Sequence, residues 1–138
     1  MTFTEQFWGS FQGILNWSQL DELWQTMQIQ SQAWYLYQPY QPLPQTPLTP
    51  NELQQILTEL NEFLRKNHPY DYCGIVYANS VQLPSLVKVF HPNHLGASCG
   101  SSGEKILPQW IFTQLPPERL ELPTTTPSKW QRWWPRWS

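Results

Sequence analysis

Apolar side chains recur every three or four residues over positions 50–67, with polar side chains between them. This spacing places the apolar residues on one face of an α-helix. Thr49 is the predicted N-cap, Glu52 stands where it would complete a capping box, and His68-Pro69 marks the predicted end. The pattern therefore predicts a long amphipathic helix with these inward-facing residues: Leu53, Ile56, Leu57, Leu60, Phe63 and Leu64.

Two further helical patterns precede it. Thr2 and Glu5 have the spacing of a capping box, and Ser18 is a suitable N-cap for a second helix. The residues predicted to face inward in the first helix are Phe3, Phe7, Trp8, Phe11, Ile14 and Leu15, and those in the second are Leu20, Leu23, Trp24 and Met27.

Four other segments have the aromatic and β-branched content of strands. They are "AWYLYQ" at 33–38, "CGIVYA" at 73–78, "LVKVFH" at 86–91 and "WIFTQL" at 110–115, and the second and third are predicted to pair as a hairpin. We predict an α+β fold, with N-terminal helices and one long amphipathic helix packed on a mostly antiparallel three- to four-stranded sheet. The single domain spans residues 1–122, and 123–138 form a proline-rich exit and a tail.

The charge distribution separates the end of the chain from the rest. Three of the eight Lys and Arg residues lie after position 127, whereas all ten acidic residues precede it. The acidic body argues against nucleic acid as a partner, because phosphate binding needs clustered cations. The sequence shows neither a secretory signal nor a membrane-spanning stretch, so we expect a cytoplasmic protein whose thiols are reduced.

The C-terminal segment, residues 128–138, reads "SKWQRWWPRWS" and contains four tryptophans. Left in water they would expose roughly 800 Å² of aromatic surface, at about 200 Å² per ring. The largest apolar patch of an ordinary monomer is about 300–600 Å². The segment is therefore expected to be covered by its own domain, a partner protein or an anionic membrane. The predicted anchors are Trp130, Arg132, Trp133, Trp134, Arg136 and Trp137.

The loop "HPNHLGASCGSSGEK" at 91–105 holds the main chemical candidates. Cys99 could act as a nucleophile with His91 or His94 as its base, although no established nucleophile motif surrounds it. A metal could be held by His91, His94, Cys99 and Cys73, but the spacing matches no common zinc pattern. "GSSGEK" lacks the residue order of a phosphate-binding P-loop. The simplest interpretation is a contact loop that uses Asn93, Gly96, Gly100, Gly103 and Lys105.

The run from "DYCGIVY" through "PSLVKVFHPNHLGASCG" to "LPQWIFTQLPP" resembles small proteins of oxygenic phototrophs, in which a strand leads to a His/Asp-Pro-Asn turn and an "LG..CG" loop. The resemblance covers roughly residues 70–117. It implies a cyanobacterial or plastid setting and an auxiliary role around photosynthetic complexes, and it supplies no active-site residues.

The sequence thus favours a noncatalytic protein-interaction or assembly factor that needs no cofactor and no metal. A thiol-dependent enzyme or a redox or metal-binding protein using Cys99 with His91 or His94 is the alternative. A protein peripherally associated with a membrane is the second alternative.

Overall fold

The computed structural model describes residues 1–92 and 107–120. Within these ranges the chain forms three helices and one five-stranded sheet in which all neighbouring strands are antiparallel. The helices are α1 (Phe3–Phe7), α2 (Trp17–Ile29) and α3 (Pro50–Asn67), and the strands are β1 (Gln12–Gly13), β2 (Tyr35–Tyr37), β3 (Val76–Ala78), β4 (Leu86–Val89) and β5 (Trp110–Thr113). The predicted α+β class is confirmed, but the predicted count of three to four strands is wrong.

Helix α3 begins and ends where the sequence predicts. Thr49 Oγ1 accepts a hydrogen bond from the Glu52 backbone N–H at 3.1 Å, and Glu52 Oε1 accepts one from the Thr49 N–H at 2.9 Å. At 18 residues it is only moderately longer than α2, which has 13. Its buried stripe is Leu53, Ile56, Leu57, Leu60 and Leu64, while Phe63 stays partly exposed.

The first two helices differ from the prediction at their ends. Helix α1 stops at Phe7, well short of the predicted Leu15. Helix α2 is capped by Asn16 and not by Ser18, because the Asn16 side chain accepts from the Gln19 N–H and Gln19 returns the bond. The residues between these helices supply β1.

The strand order is β1-β3-β4-β5-β2. The β3–β4 hairpin is confirmed, and Asn79 organises its turn by accepting from the N–H groups of Ser85 and Leu86 at 3.0 and 3.1 Å. Strand β1 adds an edge beside β3, where the Tyr77 ring would lie 3.2 Å from a Cβ on Gly13. Because that distance is shorter than ordinary van der Waals contact, the close packing of Tyr77 favours a glycine there.

The two faces of the sheet are covered by different elements. Helices α2 and α3 pack on one face, where Trp24 meets Phe112 and Phe63 meets Trp110. Helix α1 and the chain leading to the last described residue cover the other face, in a smaller core. That core contains Phe3, Phe7, Tyr37, Leu86, Leu107, Ile111 and Leu120.

None of the three described helices combines the length and the apolar character that a membrane-spanning helix requires.

Candidate aromatic interaction site

Three aromatic residues, Trp17, Tyr70 and Tyr72, form an exposed surface that we call the aromatic platform. An antiparallel bridge between Asn16 and Tyr72 extends the β1–β3 pairing towards the start of α2. This bridge brings Trp17, the first residue of α2, next to the loop that follows α3. The platform is therefore assembled from segments more than fifty residues apart by the pairing of the sheet edge.

The two tyrosines lie against each other with their rings towards solvent. Their centroids are 5.5 Å apart and the planes are inclined by 27°. Tyr70 is 51% exposed and Tyr72 is 49% exposed, while Trp17 is half-buried. Trp17 Nε1 donates a hydrogen bond to the Tyr70 carbonyl oxygen at 2.9 Å. The Trp17 indole is thus held against the main chain of the loop that carries the two tyrosines.

His68 lies beneath the platform and is only 2% exposed. Its ring centroid is 5.8 Å from Trp17, 4.8 Å from Tyr70 and 5.7 Å from Tyr72. Because a carbonyl oxygen can only accept, His68 Nε2 carries the proton that it donates to the Tyr72 oxygen at 3.1 Å. The buried Nδ1 has no hydrogen-bond partner among the described residues.

Arg65 borders the platform and ties it to the helices. Its guanidinium carbon lies 5.0 Å from the Trp17 ring centroid. The same guanidinium donates to Asp21 Oδ1 at 2.7 Å and to the Trp17 carbonyl oxygen at 3.3 Å. The pair with Asp21 is partly exposed, so its direct contribution to stability is small. The pair with Asp21 instead holds the Arg65 guanidinium against the Trp17 indole, where a cation–π contact forms.

The predicted residue His91 belongs to a second aromatic cluster. Its ring is stacked on that of Trp110, with the centroids 6.3 Å apart and the planes inclined by 12°. The His91 and Phe63 ring centroids are 5.6 Å apart in an edge-to-face arrangement. His91 and Cys73 lie at the same end of the β3–β4 pair, since Phe90 N–H donates to the Ile75 oxygen just inside them. The other proposed site residues of this loop lie outside the described residues: Asn93, His94, Gly96, Cys99, Gly100, Gly103 and Lys105.

Cys73 is buried in the larger core, and burial raises the pKa of its thiol. A nucleophilic or metal-binding cysteine needs the opposite shift, towards the thiolate. Among residues 1–92 and 107–120, no three His, Cys, Asp or Glu side chains are grouped closely enough to hold a metal ion. The described residues thus supply Cys73 and His91 without bringing them into such a group.

Lys88 is an unusual cation that the sequence pattern does not distinguish from an exposed strand residue. Its Nζ lies 4.2 Å from the ring centroid of Phe7 and 3.9 Å from that of Phe11. Burial lowers the pKa of Lys88 to about 8. In the sequence, Lys88 appears as a single charge inside the apolar strand "LVKVF". Because successive side chains of a strand point to opposite faces, this position would be expected to face solvent.

The predicted anchors of the C-terminal segment, Trp130 to Trp137 with Arg132 and Arg136, lie outside the described residues. The platform was not predicted either, although its signal was present. The aromatic run "HPYDY" directly after a helix end has no hydrophobic period that would bury it. No periodicity could have shown that Trp17 joins it, because only the sheet pairing brings them together.

Searches against protein-family models, curated proteins and solved structures find no match to this chain.

Proposed function

We propose that the chain is a noncatalytic protein-interaction or assembly domain whose contact surface on the folded body is the aromatic platform. The observation that carries the proposal is the fixed, half-exposed pair of Tyr70 and Tyr72 beside Trp17. Tyrosine, tryptophan and arginine are the residue types that dominate the energetics of protein interfaces. Here they occur together, with Arg65 held against the indole.

Preorganisation strengthens this interpretation. Ordering a side chain at an interface costs about 0.5–1.5 kcal/mol. The ring contacts of Tyr70 and Tyr72 with each other and with His68 already order these side chains in the free protein. His68 and Trp17 fix the loop through bonds to main-chain carbonyls, so the tyrosine rings themselves remain available for contact.

The platform alone is too small to hold a partner. The two half-exposed tyrosines offer about 200 Å² of surface, which is worth roughly 5 kcal/mol at 25 cal/mol per Å². Association itself costs about 4–15 kcal/mol. We therefore propose that the C-terminal segment, with Trp130, Trp133, Trp134 and Trp137 and the cations Arg132 and Arg136, is a second anchor on the same partner.

The resemblance of residues 70–117 supplies the proposed setting. It supports an auxiliary role around a photosynthetic complex in a cyanobacterium or plastid. The indoles and cations of residues 128–138 support peripheral contact of an otherwise aqueous protein with an anionic membrane. Burial of Cys73 gives no support to the alternative of a thiol-dependent enzyme or a metal-binding protein. That alternative depends on Cys99 with His91 or His94.

The test uses a photo-reactive phenylalanine analogue placed at Tyr72 and, as a matched control, at Leu83, which is also exposed. Cross-linked products from native extract are identified, and the candidate partner is then purified for titration. We expect cross-links from position 72 that are absent from position 83. With the purified partner, the double variant Tyr70→Ser/Tyr72→Ser and the deletion of 128–138 should each weaken binding at least tenfold.

Equal cross-linking from both positions would contradict the proposal. So would a dissociation constant that neither the double variant nor the deletion changes.

A further inference from the structure

The aromatic platform borders a strongly acidic surface. Helices α2 and α3 together carry five carboxylates and two cations, and the acidic residues lie mainly on their outer, exposed sides. One of the two cations, Arg65, is already paired with Asp21. We call this surface the acidic helix face; its carboxylates are Asp21, Glu22, Glu59 and Glu62. Glu52 lies at the other end of α3, where it accepts from the Thr49 N–H in the capping box.

The C-terminal segment is complementary to both surfaces. It has four indoles and three cations, Lys129, Arg132 and Arg136, and no acidic residue. Indole rings suit a site made of aromatic faces, and the cations suit carboxylates in the same neighbourhood.

The C-terminal segment is long enough to reach the aromatic platform and the acidic helix face. Leu120 is the last described residue before it, and its N–H donates to Tyr37 Oη on β2, at the edge of the sheet opposite β1. Four strand spacings separate these edges, or about 19 Å, and the helix layer that covers the far face of the sheet is about 10 Å thick. Extended chain covers about 33 Å between Leu120 and Trp130 and about 56 Å to Trp137.

We propose that residues 128–138 of the same chain occupy the aromatic platform and the adjoining acidic helix face when no partner is bound. A tether of this length gives an effective concentration in the millimolar range, so a weak contact suffices to fill the site. The proposal deepens the proposed function and rests on it in one respect: a partner must displace the segment from the platform before the segment becomes the second anchor, so the intrachain contact offsets only part of the affinity that the second anchor adds.

The test uses the purified full-length chain without a partner. A carbodiimide joins a lysine to a carboxylate that touches it, and digested peptides from the monomer then show which residues were joined. We expect Lys129 to be linked to carboxylates of the acidic helix face, chiefly Glu22 and Glu62. The yield should be independent of protein concentration.

The informative variant is Tyr70→Ser/Tyr72→Ser. The Trp17 and His68 side chains donate to main-chain carbonyls of this loop, so the substitutions remove the tyrosine rings and keep these bonds. We expect the Lys129 cross-links to fall at least fivefold in this variant and to persist in the control variant Leu83→Ser. Unchanged circular dichroism and thermal midpoint would establish that the double variant is folded.

Four results would overturn the proposal. Lys129 could be linked mainly to Glu5 or Glu118 on the other side of the sheet, or its links could survive the double variant. Links found only in dimers, with a yield that rises with concentration, would identify a second copy as the occupant. Links that form only with phosphatidylglycerol vesicles would identify a membrane. Since no partner is present, none of these results decides the proposed function.

Discussion

Replacing Lys88 by methionine tests how the smaller core holds a cation. The side chain lies among apolar residues with its ammonium over Phe7 and Phe11, and burial lowers its pKa to about 8. A lysine in an unfolded chain titrates at about 10.4. The folded state therefore disfavours the charged form, and we expect Lys88→Met to stabilise the protein at neutral pH.

The magnitude follows from the two pKa values. A difference of about 2.4 units corresponds to roughly 3 kcal/mol at 1.36 kcal/mol per unit. Lys88 retains partial contact with water, which reduces this figure. Its two cation–π contacts stabilise the charged form by about 0.5–1 kcal/mol each. The expected penalty for charged Lys88 is therefore about 1–2 kcal/mol at pH 7.

The sign of the pH dependence is fixed by proton binding. Between about pH 8 and 10.4 the unfolded chain holds the Lys88 proton more often than the folded chain, so this group makes stability rise with pH. The raised pKa of Cys73 has the opposite effect, because the folded state retains the thiol proton that the unfolded state loses. Both proteins contain Cys73, so its contribution cancels in the difference between wild type and Lys88→Met.

The assay is urea unfolding followed by circular dichroism at intervals from pH 7 to 10.5. The unfolding free energy of wild type minus that of Lys88→Met should start at about −1 to −2 kcal/mol and rise towards zero across this range. Lys66→Met, which removes an exposed charge at the end of α3, controls for the change in net charge. A difference that is flat or falls with pH would refute the reasoning.

Three other outcomes are expected. Leu60→Ala should lower the unfolding free energy in urea melts by about 2–5 kcal/mol, because Leu60 is fully buried. Leu83→Ala, at an exposed position, should change it by less than about 0.5 kcal/mol. Equal effects of the two substitutions would contradict the assigned core. Thr49→Ala should lower the unfolding free energy by about 1 kcal/mol, since it removes the N-cap of α3. An unchanged unfolding free energy would mean that the capping box does not stabilise the helix. Iodoacetamide should label Cys73 only at the global unfolding rate, as mass spectrometry of the peptide would show, and fast labelling of the native protein would contradict its burial.

The sequence predicted those elements whose determinants are local. The capping box at Thr49 and the period of the following stripe are properties of neighbouring residues, and both appear in the structure. The β3–β4 hairpin was predictable for the same reason, since Asn79 and Ser85 close it within one turn.

The sequence did not predict features that depend on distant residues. Strand β1 has two residues, Gln12 and Gly13, and is a strand only because β3 pairs with it. The helical pattern of the first fifteen residues therefore overestimated α1. The aromatic platform has the same origin, because Trp17 meets Tyr70 and Tyr72 only through the sheet edge. Lys88 was overlooked because strand alternation predicts an exposed lysine there, whereas Phe7 and Phe11 cover it.

The most direct test of the central claim is the affinity of the full-length protein for the partner that is cross-linked from position 72, compared with the affinity of Tyr70→Ser/Tyr72→Ser. If the platform is the contact surface, the dissociation constant rises at least tenfold in the double variant, or about 1.4 kcal/mol, while Leu83→Ser binds like wild type. Identical affinities for all three proteins would show that these rings play no part in recognition.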